Sequence, residues 1–196
     1  DYRYFLAKKK SLQSRSKILP GAGVDTSKLS YTPLSQKEQT VFLFSGRMLK
    51  MKGLRELLDA ARIVHAQYSD AVVFHLIGIH NPKDPDSIEM DRMQILQEQG
   101  IIKYFGQVED VRPYYAYADC LVLPSYVEGV PRSLIEACSM GRPIIASDIP
   151  GNNHVVQDKE NGLLCQVKSV PSLVDALKRF HALSLDRRTE MGRKGR

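Results

Sequence analysis

The chain has no tryptophan and only three cysteines among its 196 residues. Cys120, Cys138 and Cys165 are odd in number and widely spaced, with no C-x-x-C pair and no His/Cys spacing of a zinc site. That speaks against a disulfide frame or a structural metal, and leaves three buried, reduced thiols of a cytoplasmic protein. No apolar run reaches the roughly 18–20 residues of a membrane span. Residues 1–20 lack the layout of a signal peptide, and the first residue is Asp1 rather than Met, so the chain is expected to be a piece of something longer. Internal repeats and low-complexity tracts are also missing, which sets aside fibrous and disordered classes.

Negative charge is in deficit. Lys and Arg number 28 against 22 Asp and Glu, for a net +6, a balance that suits polyanions, anionic lipid surfaces or small phosphorylated ligands. The excess gathers at the ends: Lys8, Lys9, Lys10, Arg15 and Lys17 first, then Arg187, Arg188, Arg193, Lys194 and Arg196. Aromatics do not interleave with these runs, so nucleic acid is not expected as a partner. The plain reading is solvated charge; contact with a partner domain, or peripheral association with an anionic membrane surface, stays open beside it.

What is present is an ordinary apolar share, 43%, arranged in two alternating patterns. Continuous apolar runs at 41–45, 71–77, 101–105, 120–123, 143–147 and 162–166 read as strands. Between and after them, 53–67, 86–98, 110–118, 131–140 and 171–183 read as helices. In the first of these, Leu54, Leu57, Leu58, Ala61 and Val64 recur at helical spacing. The helix over 131–140 carries Pro131 in its first turn and Gly141 just past its end. Fully apolar strands alternating with helices predict an α/β fold, a Rossmann-like doubly wound parallel sheet of about six strands. Ligands of such sheets sit at the carboxyl ends of the strands, so chemistry is sought just after residues 45, 77, 105, 123 and 147.

The first of these loops reads Gly46-Arg47-Met48-Leu49-Lys50-Met51-Lys52-Gly53. It is neither G-x-G-x-x-G nor G-x-x-x-x-G-K-[ST], so dinucleotide and P-loop readings fail. It still sets two cations, Arg47 and Lys52, at a helix N-terminus, where guanidinium, ammonium and helix dipole suit a pyrophosphate. Ordinary surface cations are the alternative. The loop after residue 123 carries Glu128 and Gly129, the latter free to take an unusual backbone, and leads into a helix N-terminus that welcomes an anion. Glu136 stands about 200° round that helix from Leu134. A carboxylate in the stretch Leu134-Ile135-Glu136-Ala137-Cys138 is costly unless partnered, and the paired hydroxyls of a ribose would satisfy it. A partly exposed helix residue is the plain alternative. Asp84-Pro85-Asp86 mimics a D-x-D metal motif outside any matching context, and no metal is expected there.

Taken in order, Gly46-Arg47…Lys52-Gly53, Ala118-Asp119…Pro124-Ser125, Glu128-Gly129-Val130-Pro131…Leu134-Ile135-Glu136-Ala137, Gly141-Arg142-Pro143, Pro150-Gly151 and Asn161-Gly162 resemble the donor half of family 4 glycosyltransferases. Glu128 and Glu136, with seven residues between them, resemble that family's E-x7-E signature, and the likeness runs from about residue 17 to residue 183. The nearest resemblance is to bacterial enzymes that build lipid-linked oligosaccharides for capsule, O-antigen or protein glycosylation.

The resemblance implies one half of a GT-B fold, with residues 1–19 ending a preceding domain or linker, 20–183 forming a nucleotide-sugar donor domain, and 184–196 beginning a truncated helical extension. It implies a retaining enzyme that moves a hexose or N-acetylhexosamine from a UDP-sugar to a saccharide or lipid-linked acceptor, without cofactor or metal. The acceptor domain would precede Asp1, and the setting would be the cytoplasm, at the inner face of the membrane. Arg47, Lys52 and Glu128 would carry catalysis: the two cations on the diphosphate, Glu128 toward the sugar. Glu136 would accept both ribose hydroxyls. Gly129, Val130, Pro131, Ser133 and Leu134 would line the hexose and β-phosphate, Gln107 and Val108 the uracil, and Gly46 and Gly78 would let the nucleotide approach. A binding module without catalysis is the alternative.

Overall fold

The computed structural model describes residues 7–8 and 21–196, so Lys9, Lys10, Arg15, Lys17 and the expected linker before residue 21 lie outside the described residues. Among the described residues from Thr40 on, six strands alternate with helices. They are β1 (Thr40–Ser45), α1 (Leu54–Tyr68), β2 (Val72–Ile77), α2 (Met90–Glu98), β3 (Ile102–Tyr104), α3 (Arg112–Tyr117) and β4 (Cys120–Leu123). Then come α4 (Arg132–Ser139), β5 (Ile144–Ser147), α5 (Pro150–Asn153), β6 (Gly162–Cys165), α6 (Val170–His181) and α7 (Leu185–Gly195).

The strands form one parallel sheet in the order β3-β2-β1-β4-β5-β6, so the expected doubly wound α/β fold is what the chain adopts. Right-handed crossovers put α1 and α2 on one face and α4 on the other. Their apolar faces explain why. Leu54, Leu57, Leu58, Ala61 and Val64 of α1 are all buried, and α1 packs against α6 on the same face. Under them the Phe42 ring stacks on Phe74 at 5.2 Å and meets the edge of Phe180 at 5.8 Å. No helix among the described residues is long and apolar enough to cross a membrane.

The order reverses between β1 and β4, which lie side by side with Phe42 opposite Cys120. That reversal opens a crevice at their carboxyl ends. The two loops singled out in the sequence follow these two strands.

Some boundaries differ from the sequence pattern for tertiary reasons. The expected helix over 86–98 begins only at Met90, because residues 86–88 are held instead against the β1–α1 loop. Lys50 donates its amide to the Asp86 carbonyl at 2.7 Å, and Ile88 to that of Met48 at 2.9 Å. The short α5, with Pro150 at its start, had no periodic signal to announce it.

The carboxyl-terminal cations are not simply solvated. Arg188 is half-buried and donates to the His181 carbonyl at 2.6 Å, while Lys194 pairs with Glu160 at 2.6 Å. Arg142 is 1% exposed and ties the segment before β1 to the body, donating to the carbonyls of Thr32, Met140, Ala116 and Ala118. Burial pushes its guanidinium down to about 10.

Candidate binding site at the switch point

The crevice is built from two loops joined to each other. Tyr126 donates its amide to the Met51 carbonyl at 2.9 Å, which draws the loop after β4 over the 3-10 turn Lys50–Lys52. Asp86 fixes that turn from the other side, accepting the Met51 amide on Oδ2 at 3.1 Å. The Tyr126 hydroxyl donates to Glu56 at 2.7 Å, and burial together with that carboxylate pushes the phenol up to about 12.

Across this junction the Lys52 ammonium donates to Glu128 Oε1 at 2.6 Å. The pair is mostly enclosed, with the Glu128 side chain 10% exposed and that of Lys52 24%. Two residues 76 apart in sequence are thus one charge-assisted contact at the mouth of the sheet. Arg47 stands in the same loop, exposed, and its guanidinium makes no polar contact with any described residue.

Glu136 is the second carboxylate, on α4, with its side chain 13% exposed. The hydroxyl of Tyr115 lies 3.2 Å from its Oε2, and Arg132 donates Nε to its Oε1 at 2.9 Å. Tyr115 is wholly buried, and burial followed by the neighbouring Glu136 charge drives its phenol far above the usual range, so it stays a donor. Between the two glutamates, the amides of Gly129, Val130, Arg132 and Ser133 have no acceptor among the described residues. Unpaired amides beside a helix N-terminus and a lysine make a cradle for an anion.

Other expected contacts sit less simply. Gly129, free to take an unusual backbone, is not among the positive-φ residues, and a Cβ there would meet nothing within 4 Å; the space it faces is open. Gly78 does have φ +138, but for an internal reason: a Cβ would run into the Gly46 carbonyl where β1 and β2 end together. Gly46 itself donates its amide to Ile77 at 3.0 Å. Leu134 is fully buried in the core and its amide goes to Pro131 at 3.2 Å, so its side chain is out of a ligand's reach. Pro131 is buried as the residue preceding α4, while Val130 and Ser133 are half-buried on the rim. Gln107 is exposed and Val108 half-buried beyond β3, joined to the row of loops by the Gly78 amide on the Gly106 carbonyl at 2.8 Å.

The D-x-D look-alike is engaged locally: Asp84 Oδ1 accepts the Asp86 amide at 3.0 Å, and Asp86 holds the 3-10 turn. Tyr115, Tyr126 and Arg132 were not singled out in the sequence, and Asp86 was noted only as part of the D-x-D look-alike. Only Arg132 had a local signal, its i,i+4 spacing to Glu136. Two pockets of about 480 Å³ each lie at the opposite end of the sheet, around residues 35–40 and 117–119. The carboxyl-end site is an open face, with Arg47, Gly129 and Arg132 exposed.

Residues 39–182 match the family described as Glycosyl transferases group 1. An N,N'-diacetylbacillosaminyl-diphospho-undecaprenol alpha-1,3-N-acetylgalactosaminyltransferase of Campylobacter jejuni is 26% identical over 149 residues, 76% of this chain and 37% of that protein. A UDP-Gal:alpha-D-GlcNAc-diphosphoundecaprenol alpha-1,3-galactosyltransferase of Escherichia coli is 27% identical over 145 residues, 74% of this chain and 37% of that protein. The chain therefore spans little more than a third of the length of these relatives. Among solved structures, the C-terminal domain of a glycosyl transferase group 1 family protein from Francisella tularensis shares the fold. It has a TM-score of 0.72 and 24% identity, covering 88% of this chain and 94% of that one.

Proposed function

Because this chain belongs to the group 1 glycosyl transferases, we propose that it is the donor-binding half of a retaining enzyme that takes its sugar from UDP. The sugar is a hexose or N-acetylhexosamine, and the acceptor a saccharide, lipid-linked, in the synthesis of a surface polysaccharide. The observation that carries this reading is the switch-point constellation: Lys52 on Glu128 at 2.6 Å, the free amides of Gly129, Val130, Arg132 and Ser133, and Glu136 one helical turn beyond them. The UDP-Gal named for the Escherichia coli relative and the diphospho-undecaprenol named for both relatives lend it support.

The roles follow from charge. A departing nucleoside diphosphate gathers negative charge as the glycosidic bond breaks. Preorganised cations and amides that face this charge stabilise the transition state more than the ground state. Lys52 and the amides of Gly129, Val130 and Ser133 supply that field, and the unpaired Arg47 is available to add to it. Glu136 accepts the ribose hydroxyls, which places the diphosphate toward the N-terminus of α4. Glu128, held by Lys52, faces the sugar. None of these steps calls on a metal. The open face leaves the acceptor to a second domain, so this chain alone binds donor and transfers little.

Calorimetric titration with UDP, with Glu136→Ala as control, tests the reading. Binding by the wild-type chain that weakens at least tenfold in the variant supports it, and no binding at millimolar UDP would end it.

A further inference from the structure

Arg132 has no part in the roles just assigned, yet it occupies the atom on which the ribose is to sit. It opens α4, its side chain is 78% exposed, and its Nε reaches Glu136 Oε1 at 2.9 Å. The other carboxylate oxygen is held from inside by Tyr115, whose side chain cannot leave the core. A diol approaching Glu136 from solvent therefore meets the guanidinium first. An exposed i,i+4 pair of this kind is weak, about a factor of two in population, so it yields readily.

Its destination is on the same turn. Four residues of helix are about 6 Å of rise, so the base of the Arg132 side chain lies one turn nearer the helix N-terminus than Glu136. There the free amides of Gly129, Val130, Arg132 and Ser133 cluster. A ribose seated on Glu136 with its 5′ substituent toward that end brings phosphate to the level of Arg132. Guanidinium matches phosphate in a bidentate fork at least as well as carboxylate.

Resting on the donor reading above, we infer that Arg132 is an exchanged counter-ion: it neutralises Glu136 in the free protein and transfers to the diphosphate when the nucleotide arrives. The swap selects for phosphate. Uridine must displace Arg132 and leaves it without a partner, whereas UDP displaces it and gives it a stronger one.

Titration of uridine and of UDP into the wild-type chain, Arg132→Ala and Glu136→Ala, followed by NMR chemical shifts, separates the possibilities. For Arg132→Ala, UDP is expected to bind about tenfold more weakly, the loss of one charge-assisted contact. Uridine is expected to bind as well as before or up to about twofold better, because its competitor is gone. An equal change for both ligands, or unchanged UDP affinity, overturns the exchange while leaving the donor site standing. Wild-type chain that binds neither ligand, or Glu136→Ala that binds both normally, overturns the donor reading and the exchange together.

Discussion

Glu128 and Glu136 both stand in an enclosed setting with a cation beside them, and the consequences differ by partner. Removing Lys52 leaves the Glu128 carboxylate, 10% exposed, without its ammonium. Lys52→Ala is therefore expected to lower the unfolding free energy by about 1–3 kcal/mol and to weaken UDP binding, measurable by urea denaturation and titration. Tyr115→Phe removes the hydroxyl from Glu136 at 3.2 Å and from the Ser133 carbonyl at 3.3 Å. The expected cost is about 1–2 kcal/mol of stability, together with weaker ribose binding because Glu136 loses its inner anchor. Unchanged UDP affinity in that variant would mean that Tyr115 serves the fold alone. That Lys52 and Glu128 stand in loops at strand ends was legible from the sequence, and so was the place of Glu136 in an otherwise apolar helical stretch; their roles came only from the family resemblance. Tyr115 was not legible, since its partner lies 21 residues away and only the tertiary fold brings the two together. Leu134 shows the reverse: membership of a motif does not say which way a side chain points.

At the scale of elements, alternation of apolar runs with amphipathic stretches was enough to read six parallel strands in order. It failed at the start of α2, where hydrogen bonds from Lys50 and Ile88 outweighed local helix preference, and at α5, too short to show a period. α5 has a purpose that only the fold reveals. A Cβ on Gly151 would strike the carbonyls of Glu128 and Gly129, so the glycine lets α5 support the Glu128 loop from beneath. Gly151→Val is expected to push that loop outward and weaken UDP binding along with stability. β2 carries a separate consequence in His75, 7% exposed, its ring stacked on Tyr117 at 5.8 Å and edge-on to Phe105 at 5.1 Å. Burial, then the charges of Lys103 and Lys37, pushes its imidazole down to about 4. Above pH about 6.5 it is neutral folded and unfolded, and contributes no pH dependence. As pH falls from there toward about 4, the unfolded chain takes up the proton first, and stability drops by up to about 3 kcal/mol. His75→Phe is expected to flatten that part of the profile; equal slopes for the two proteins in urea midpoints between pH 7 and pH 4.5 would contradict the assignment.

The molecule as a whole presents its charged, amide-rich face at the carboxyl end of the sheet, and two pockets of about 480 Å³ at the other. The face was legible because a parallel doubly wound sheet has its crevice where strand order reverses, here between β1 and β4. The cavities were not, because they depend on how the segment before β1 and α7 fold back under the sheet. An open face on a chain that spans 37% of its relatives' length fits a site completed by a second domain. The central claim is that this face, and not a cavity at the far end, receives the nucleotide. A crystal structure of the chain grown with UDP tests it most directly. The expected result is the ribose hydroxyls on Glu136, and the diphosphate on Lys52 and the amides of Gly129, Val130, Arg132 and Ser133. UDP seated among residues 35–40 and 117–119, with the switch point unoccupied, would contradict it.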